Sequence, residues 1–554
     1  MSTLFDLFGY LSVVLRGLEL VAQAVLLGSV TFVVFVVAPV LGADAPRDAE
    51  GLYAGCRRVL LVAALVAIVC VCAATAVNAI VLTASLPLSW TDVAGAGFAL
   101  AGTVKILAAA TLGVVASRKS LGAPSTRVLL CVTGALYLAA ALADSHAAAR
   151  LDDNGTLLLA TGAHELGAAL WLGGLPCFWL VLRRAGASEW ARRMARRFSA
   201  LAMVGVALIV IGAGVFVPLY VGAFDAVYGT AYGAMALTKG VLLAMLLLLG
   251  LANFGAVRRF AADRAAVPQV QRFVEVEMGL AVAVLLAAAS ITSMPPAVDL
   301  RDDRVTFAEF VARFTPASPR LVSPDPATLS IPALQKKLDA EWQAQGQLSR
   351  AQAYVPGGGR QLPRNAEDIA WSEYNHHWAG ILVLLMGFAA LAQRTGHAPW
   401  AKHWPLLFLL LAGFLLLRGD PEVWPMGDVG LIESLRDPEV VQHRLFALLM
   451  IAFALFEWGV RTGRIAALGL RRVFPLLTAL GATLLLTHSH AIGNVKEEVL
   501  ADLTHLPIAV LGIGAGAARW LEVEAPAEEG RWAGWVWPAC FVLIGLLLLG
   551  YRES

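Results

Sequence analysis

The sequence predicts an all-α polytopic transmembrane helical bundle of about fourteen spans, and three observations predict it. Hydrophobic residues make up 59% of the 554, charged residues only 15%, and the mean hydropathy is +0.72, far from a soluble domain. The apolar residues gather in runs of about 20, the length that crosses a bilayer. Basic residues fall in alternate short loops. The partner this implies is the lipid bilayer. A net charge of +2 makes no case for nucleic acid.

Taken in order, the spans lie near 10–41, 58–86, 93–116, 128–149, 155–182, 198–224, 232–256 and 273–293, then 376–393, 404–417, 441–460, 473–489, 501–519 and 533–551. Arg57, Arg58, Arg118, Lys119, Arg183, Arg184, Arg258, Arg394, Lys402, Arg461, Arg471 and Arg472 share one side, while the intervening short loops (LPLSWTD, VGAFDAVYG) hold almost no basic residue. The positive-inside rule makes the basic side cytoplasmic and both termini periplasmic. The first span follows no basic n-region or small-residue cleavage site and reads as a retained helix. The six cysteines show no disulfide spacing.

Three regions are expected. Residues 1–296 form an eight-helix membrane domain, read as one four-helix unit used twice. LELVAQAVLLGS in span one corresponds to HELGAALWLGGL in span five, pairing Glu19 with Glu165. RRVLLVAALV corresponds to RRFSALAMVG, and Lys105 to Lys239. Each lysine is positioned to neutralise its repeat's glutamate or to snorkel. Residues 297–375 are richer in Pro, Asp, Arg and Gln and read as a periplasmic loop or small domain, with an amphipathic helix over 331–345. Residues 376–554 form a six-helix membrane domain of three hairpins, in which Gly512 and Gly516 allow span thirteen to pack closely.

The candidate chemistry lies in the histidines. Of ten, eight (His146, His164, His376, His377, His443, His488, His490 and His505) map to the half of the membrane opposite the basic loops. Each descending C-terminal helix begins at one: NHHWAGILV, QHRLFALL and THLPIAVL. The stretch THSHAIGNVKEEVLADLTH (487–505) adds carboxylates to three imidazoles. Ionisable groups at such a depth bind something or one another, and imidazole is a common metal ligand. Spacing limits the sharing. His376 and His377 diverge by about 100° on a helix, and His488 and His490 face opposite sides unless the helix has ended. The expected site takes one histidine from each hairpin. His164 and Glu165 lie deeper, with Asp144 and His146 close enough in sequence to join them. Cys70 and Cys72 suit soft Cu(I) but read more simply as apolar filler. Methionine is scarce (10) and forms no ladder. No P-loop or other nucleotide motif points to an ATP-driven pump, and no catalytic constellation points to an enzyme.

HELGAALWLGGL (164–175), RRFS (196–199), YGTAYGAMALTKG (228–240) and a last span from Glu275 and Glu277 to ITSMPPA resemble the copper-resistance D (CopD) family of bacterial inner-membrane proteins. The resemblance implies copper handling, most simply import from the periplasm through the inner membrane, with periplasmic copper-binding proteins as partners. It marks His164, Glu165 and Lys239 as motif positions. Imidazole and carboxylate suit Cu(II) and Zn(II) as well as histidine-bound copper, so copper as the named ion comes from the resemblance. Two rivals stand beside it: a haem-binding electron-transfer protein with axial histidines, and a copper-delivery or assembly factor without transport.

Overall fold

The computed structural model describes residues 7–41, 48–185, 188–260, 266–301, 304–326, 329, 366–421, 423–427, 429–487, 495–526 and 530–553. Every regular element described is helical, apart from an isolated bridge between Val423 and Val429. Among the described residues, thirteen helices are long and apolar enough to cross a membrane: α1 (Phe8–Leu41), α2 (Gly51–Ser85), α3 (Gly97–Arg118), α4 (Pro124–Ala143), α5 (Asn154–Arg184), α6 (Glu189–Val221), α7 (Ala231–Arg258), α8 (Val267–Asp299), α9 (Ala366–Arg394), α10 (Pro399–Arg418), α11 (Glu439–Arg461), α12 (Leu468–Leu485) and α13 (Lys496–Glu524). A shorter apolar helix, α14 (Ala533–Leu549), follows. Leu159 and Leu248 are 79% and 69% exposed. Such side chains cover a surface that faces lipid, where helices are the elements that satisfy their own backbone. The chain is therefore a multi-pass membrane protein.

Local chemistry sets the helix ends and breaks. Ser188 caps α6 by accepting from the Ala191 N–H at 3.3 Å, and Asp437 caps α11 by accepting from Glu439 at 2.8 Å. Ser89 with Asp92, and Thr306 with Glu309, form capping boxes on two short helices. In α5 the run Leu172–Gly174 tightens to a 3₁₀ turn just ahead of Pro176, which has no N–H to donate. In α6 a wide turn at Val217–Val221 contains Pro218 and ends at Gly222, whose φ of 78° suits only glycine. The fourth span ends at Ala143, earlier than the sequence pattern suggests. Asp144 leaves the helix, and His146 opens a separate turn, His146–Ala149.

Packing groups the chain into two compact units. One comprises 12–222 and 242–293; the other comprises 1–11, 223–241 and 294–554. In the first, α2 packs on α3, α3 on α4 and α5 on α6, and the last turns of α5 lie against α2 and α8. In the second, each of α9 to α14 packs on the next in sequence and α14 returns onto α9, so the six helices close on themselves. Aromatic rings of Trp404, Phe408, Phe453, Phe474, Trp537 and Phe541 fill the middle of that circuit. Gly516 brings α13 onto α12 so closely that a Cβ there would lie 2.8 Å from the Ala479 nitrogen, the small-residue contact expected of Gly512 and Gly516. Segment 297–326 begins in this unit beside the short helix Phe224–Gly229: Arg304 pairs with Asp225 at 2.9 Å and Val305 donates to the Gly229 carbonyl. The amphipathic helix expected over 331–345 lies outside the described residues.

Candidate metal centre

In the first unit four ionisable groups at one level of the spans, Arg16, Glu19, Lys105 and Asp144, pair with one another. Lys105, 2% exposed, donates to Glu19 Oε1 and to Asp144 Oδ2, both at 2.7 Å, and Arg16 reaches Glu19 Oε2 at 3.1 Å. Three helices thus meet on one ammonium, and Lys105 neutralises Glu19 as its place in the pattern suggests. Glu165 accepts from the Gln23 amide at 2.9 Å; Lys239 groups with the other unit. His164 places Nδ1 3.2 Å from the Ile209 carbonyl, a contact that requires Gly212, where a Cβ would come within 2.9 Å of the His164 Cβ. Since a carbonyl only accepts, Nδ1 carries the proton and the lone pair of the neutral ring is on Nε2. Asp144 is held by Lys105, and His146, two residues on, is exposed. Cys70 is buried while Cys72 is exposed, so the two thiols face different surroundings.

In the second unit the beginnings of α9, α11 and α13 carry His376 and His377, His443 and His505. The hydrogen bonds sort these four. The Arg320 backbone N–H donates to His377 Nδ1 at 2.7 Å, which leaves the ring proton on Nε2, and Nε2 donates to the Tyr551 carbonyl at 2.8 Å. Both nitrogens of this buried ring are committed. His377 is a latch that ties the strap after residue 315 and the tail after α14 to α9.

His376 and His505 bond back along their own helices. Each directs Nδ1 to the carbonyl four residues back in its own helix, Ser372 and Ala501, at 2.8 Å. Each therefore holds its proton on Nδ1, and in the neutral form has its lone pair on Nε2. A backbone carbonyl behind the ring is the usual support of a metal-binding imidazole. The two rings lie edge to face with centroids 5.5 Å apart. Two imidazoles on one ion, with bonds of about 2.0–2.1 Å, place their centroids roughly 5–6 Å apart, so the separation fits a shared ion. Two rings trans across a haem iron would stand farther apart, more than roughly 6 Å.

Tyr551 organises this end. Its ring stacks on His376 at 3.7 Å and 9°, its hydroxyl donates to Glu553 at 2.7 Å, and the Arg313 guanidinium lies 4.4 Å above it. Arg313 also pairs with Glu553 at 3.7 Å and donates to the Arg552 carbonyl. Beside these groups opens a recess of about 400 Å³ bordered by Glu309, Arg313, Lys496, Glu497, Arg552 and Glu553. Glu309 is held below the usual carboxylate range by the Thr306 backbone N–H and hydroxyl, so it is ionised at neutral pH.

His443 hydrogen-bonds Asp420 through Nδ1 at 2.7 Å, a carboxylate–imidazole pair of the kind that orients metal ligands. Asp437, just outside α11, is pushed up to about 6 by burial and by the neighbouring charges of Glu439 and Asp420. His488 and His490 lie outside the described residues. Among the described residues, no three His, Cys, Asp or Glu side chains are grouped to hold a metal ion. Two participants at this end escape sequence reading. Asp420 follows an ordinary helix end, and Tyr551 lies just past α14; the one hint is that YRES (551–554) is polar directly after ten residues of which eight are apolar and two are glycine.

Residues 192–291 match the family model described as copper resistance protein D. A 142-residue stretch is 30% identical to the copper transport protein CutJ of Bacillus subtilis (strain 168), covering 24% of each chain. The match thus spans about a quarter of that relative's length. No solved structure matches the chain.

Proposed function

From a chain that carries a copper resistance protein D segment, and so is a copper-related membrane protein, we propose that it conducts copper across a bacterial inner membrane toward the cytoplasm. The observation that carries this is the matched segment itself, 192–291, supported by a relative whose name is that of a copper transport protein. The direction comes from charge: the histidine-bearing helix ends lie opposite the basic loops, which the positive-inside rule assigns to the cytoplasm. In the second unit copper is held by His376 and His505 through Nε2, and in the first unit His164 offers a further imidazole. His377 and His443 support this end, with His488 or His490, in the segment joining α12 to α13, as further ligands. Glu165 and His146 are further candidate ligands in the other unit. The work is binding and passage of an ion, not catalysis. Haem gains nothing from the His376–His505 separation or from either name.

The test is uptake. Purified full-length protein in liposomes that enclose a copper-sensitive dye should raise the copper signal above that of protein-free liposomes. The His376→Ala/His505→Ala variant should lose most of that gain. Uptake no faster than through bare lipid overturns the transport reading. Uptake by the double variant at the wild-type rate removes the histidine pair from the route.

A further inference from the structure

The short helix Phe307–Phe314 of the second unit has its polarity inside out. Phe307, Val311 and Phe314, spaced i, i+4 and i+7, share one face, and they are 64%, 46% and 38% exposed. Ala308 and Ala312 beside them are exposed too. The charged residues turn the other way. Arg313 is 2% exposed: its guanidinium lies 4.4 Å above the Tyr551 ring, pairs with Glu553 at 3.7 Å and donates to the Thr504 hydroxyl at 3.4 Å. Glu309 closes the capping box with Thr306 and meets Lys496 at 3.4 Å. A helix on the surface of a water-soluble domain does the reverse, turning its apolar stripe to the core and its charges to solvent.

A neighbour fixes the depth of this helix. Span α6 ends at Val221 and α7 begins at Ala231. The stretch 222–230 between them is far shorter than the roughly 20 residues of a crossing helix, so it stays at the bilayer surface. It contains the short helix Phe224–Gly229. Tyr228 there meets Phe307 and Phe310, with ring centroids 6.0 and 5.3 Å apart. Phe224 extends the row on one side, 6.2 Å from Tyr228, and Phe314 on the other, 5.1 Å from Phe310. Phe224 is 84% exposed, and α7 already exposes Leu237 in its second turn. The row of rings thus lies where a spanning helix enters the membrane, at the end of α7 opposite Arg258.

We propose that Phe307–Phe314 is an interfacial helix whose Phe307–Val311–Phe314 face lies in lipid, at the boundary of headgroups and acyl chains in the leaflet opposite the basic loops. An amphipathic helix in that layer sinks its apolar face about 5–10 Å. Lipid suits this face for two reasons on the page. The bilayer boundary is already at the level of Tyr228, and the charges that would hold a helix in water are spent on Lys496, Glu553 and Tyr551. Contiguous exposed rings mark a contact surface, and the surface at that level is the membrane. The start of the segment read as periplasmic, 297–375, is therefore membrane-bound. The contact also has a consequence for the histidine end. Arg313, on the inner face, lies over Tyr551, whose ring stacks on His376 at 3.7 Å, so lipid on the outer face braces that stack. The inference requires neither copper nor transport.

The experiment footprints full-length protein in phosphatidylcholine nanodiscs with two reagents, read residue by residue by mass spectrometry. One is the hydroxyl radical, generated in water; the other is a carbene released from a diazirine on the lipid acyl chain. In wild type, Phe307, Val311 and Phe314 should take the carbene, as the exposed Leu248 of α7 does, and should escape oxidation. Phe307→Glu/Val311→Glu should lose the carbene at Phe314 and open the buried Tyr551 to oxidation. If that variant does not fold, the wild-type footprint decides. Oxidation of the three side chains without carbene puts them in water and overturns the proposal. Protection from both reagents means that protein covers the face, from this chain or from a second copy, and overturns it equally. A Tyr551 that stays protected in the folded variant refutes the brace. No copper is present in the footprint, so a failure of the uptake test leaves this result untouched.

Discussion

Adjacent residues on α9 should separate stability from metal binding. His377 is 1% exposed, and both of its ring nitrogens are hydrogen-bonded, to the Arg320 N–H at 2.7 Å and the Tyr551 carbonyl at 2.8 Å. His377→Ala removes a buried ring and leaves two polar backbone groups without that partner. A cavity of that size with one or two orphaned groups costs about 3–5 kcal/mol. His376→Ala loses a half-buried stack on Tyr551, worth about 0.5–1.5 kcal/mol, and a side-chain bond to a carbonyl that already lies within the helix. Copper should respond in the opposite order. Losing His376 or His505 removes one of two imidazoles and should lower affinity at least about tenfold, while folded His377→Ala should bind within a few-fold of wild type. The measurements are denaturant or thermal unfolding in nanodiscs and copper titration of the folded fraction. The reasoning fails if His377→Ala loses copper at unchanged stability, or if neither His376→Ala nor His505→Ala changes copper affinity.

Two further outcomes follow from buried charge. Lys105→Met should destabilise the first unit by up to about 3–5 kcal/mol, because it takes the ammonium from the buried Glu19 carboxylate and leaves it to Arg16; adding Glu19→Gln should recover part of this, and a double variant no more stable than the single would show that the ion pair is not the cause. Asp437, with its proton held up to about pH 6, binds more protons folded than unfolded between the ordinary carboxylate range and that value, so its ionisation lowers stability as pH rises through the window. Asp437→Asn keeps the helix cap and should flatten that fall by roughly 2 kcal/mol between pH 4 and pH 7, and an unfolding profile parallel to wild type would show that Asp437 is not the titrating group.

The helices were legible in the sequence because burial in lipid leaves one signal that outweighs all others, a run of apolar residues long enough to cross. Span boundaries inferred from those runs fall within a few residues of α3, α5 and α7. They err mainly where amphipathic first turns extend a helix beyond its apolar part, as Glu189–Arg197 extends α6 and Ala366–Asn375 extends α9. Hydropathy does not see those turns, since their polar residues face water or one another. Nor does it see the closure of α14 onto α9, which depends on Gly380 lying against the Leu549 backbone and Gly545 against that of Leu384.

The site was legible only as far as residue type. The sequence places His376 and His377 side by side at the same depth, and nothing in their identity says how their hydrogen bonds differ. The difference arises one turn back and 174 residues on: a helix carbonyl fixes the proton of His376, while the tail carbonyl of Tyr551 consumes the second nitrogen of His377. A tautomer is a property of the hydrogen bonds around a ring, not of the ring's position in a chain. The same holds for the thiols. Cys70 and Cys72 attract notice by their spacing, but a helix turns them apart. Cys177 of α5 meets Ser29 of α1, 148 positions away, because Gly28 and Gly173 let the two helices touch backbone to backbone. In a membrane bundle the depth of a polar residue is written in its own span, whereas its partner is written in another, and only packing joins the two.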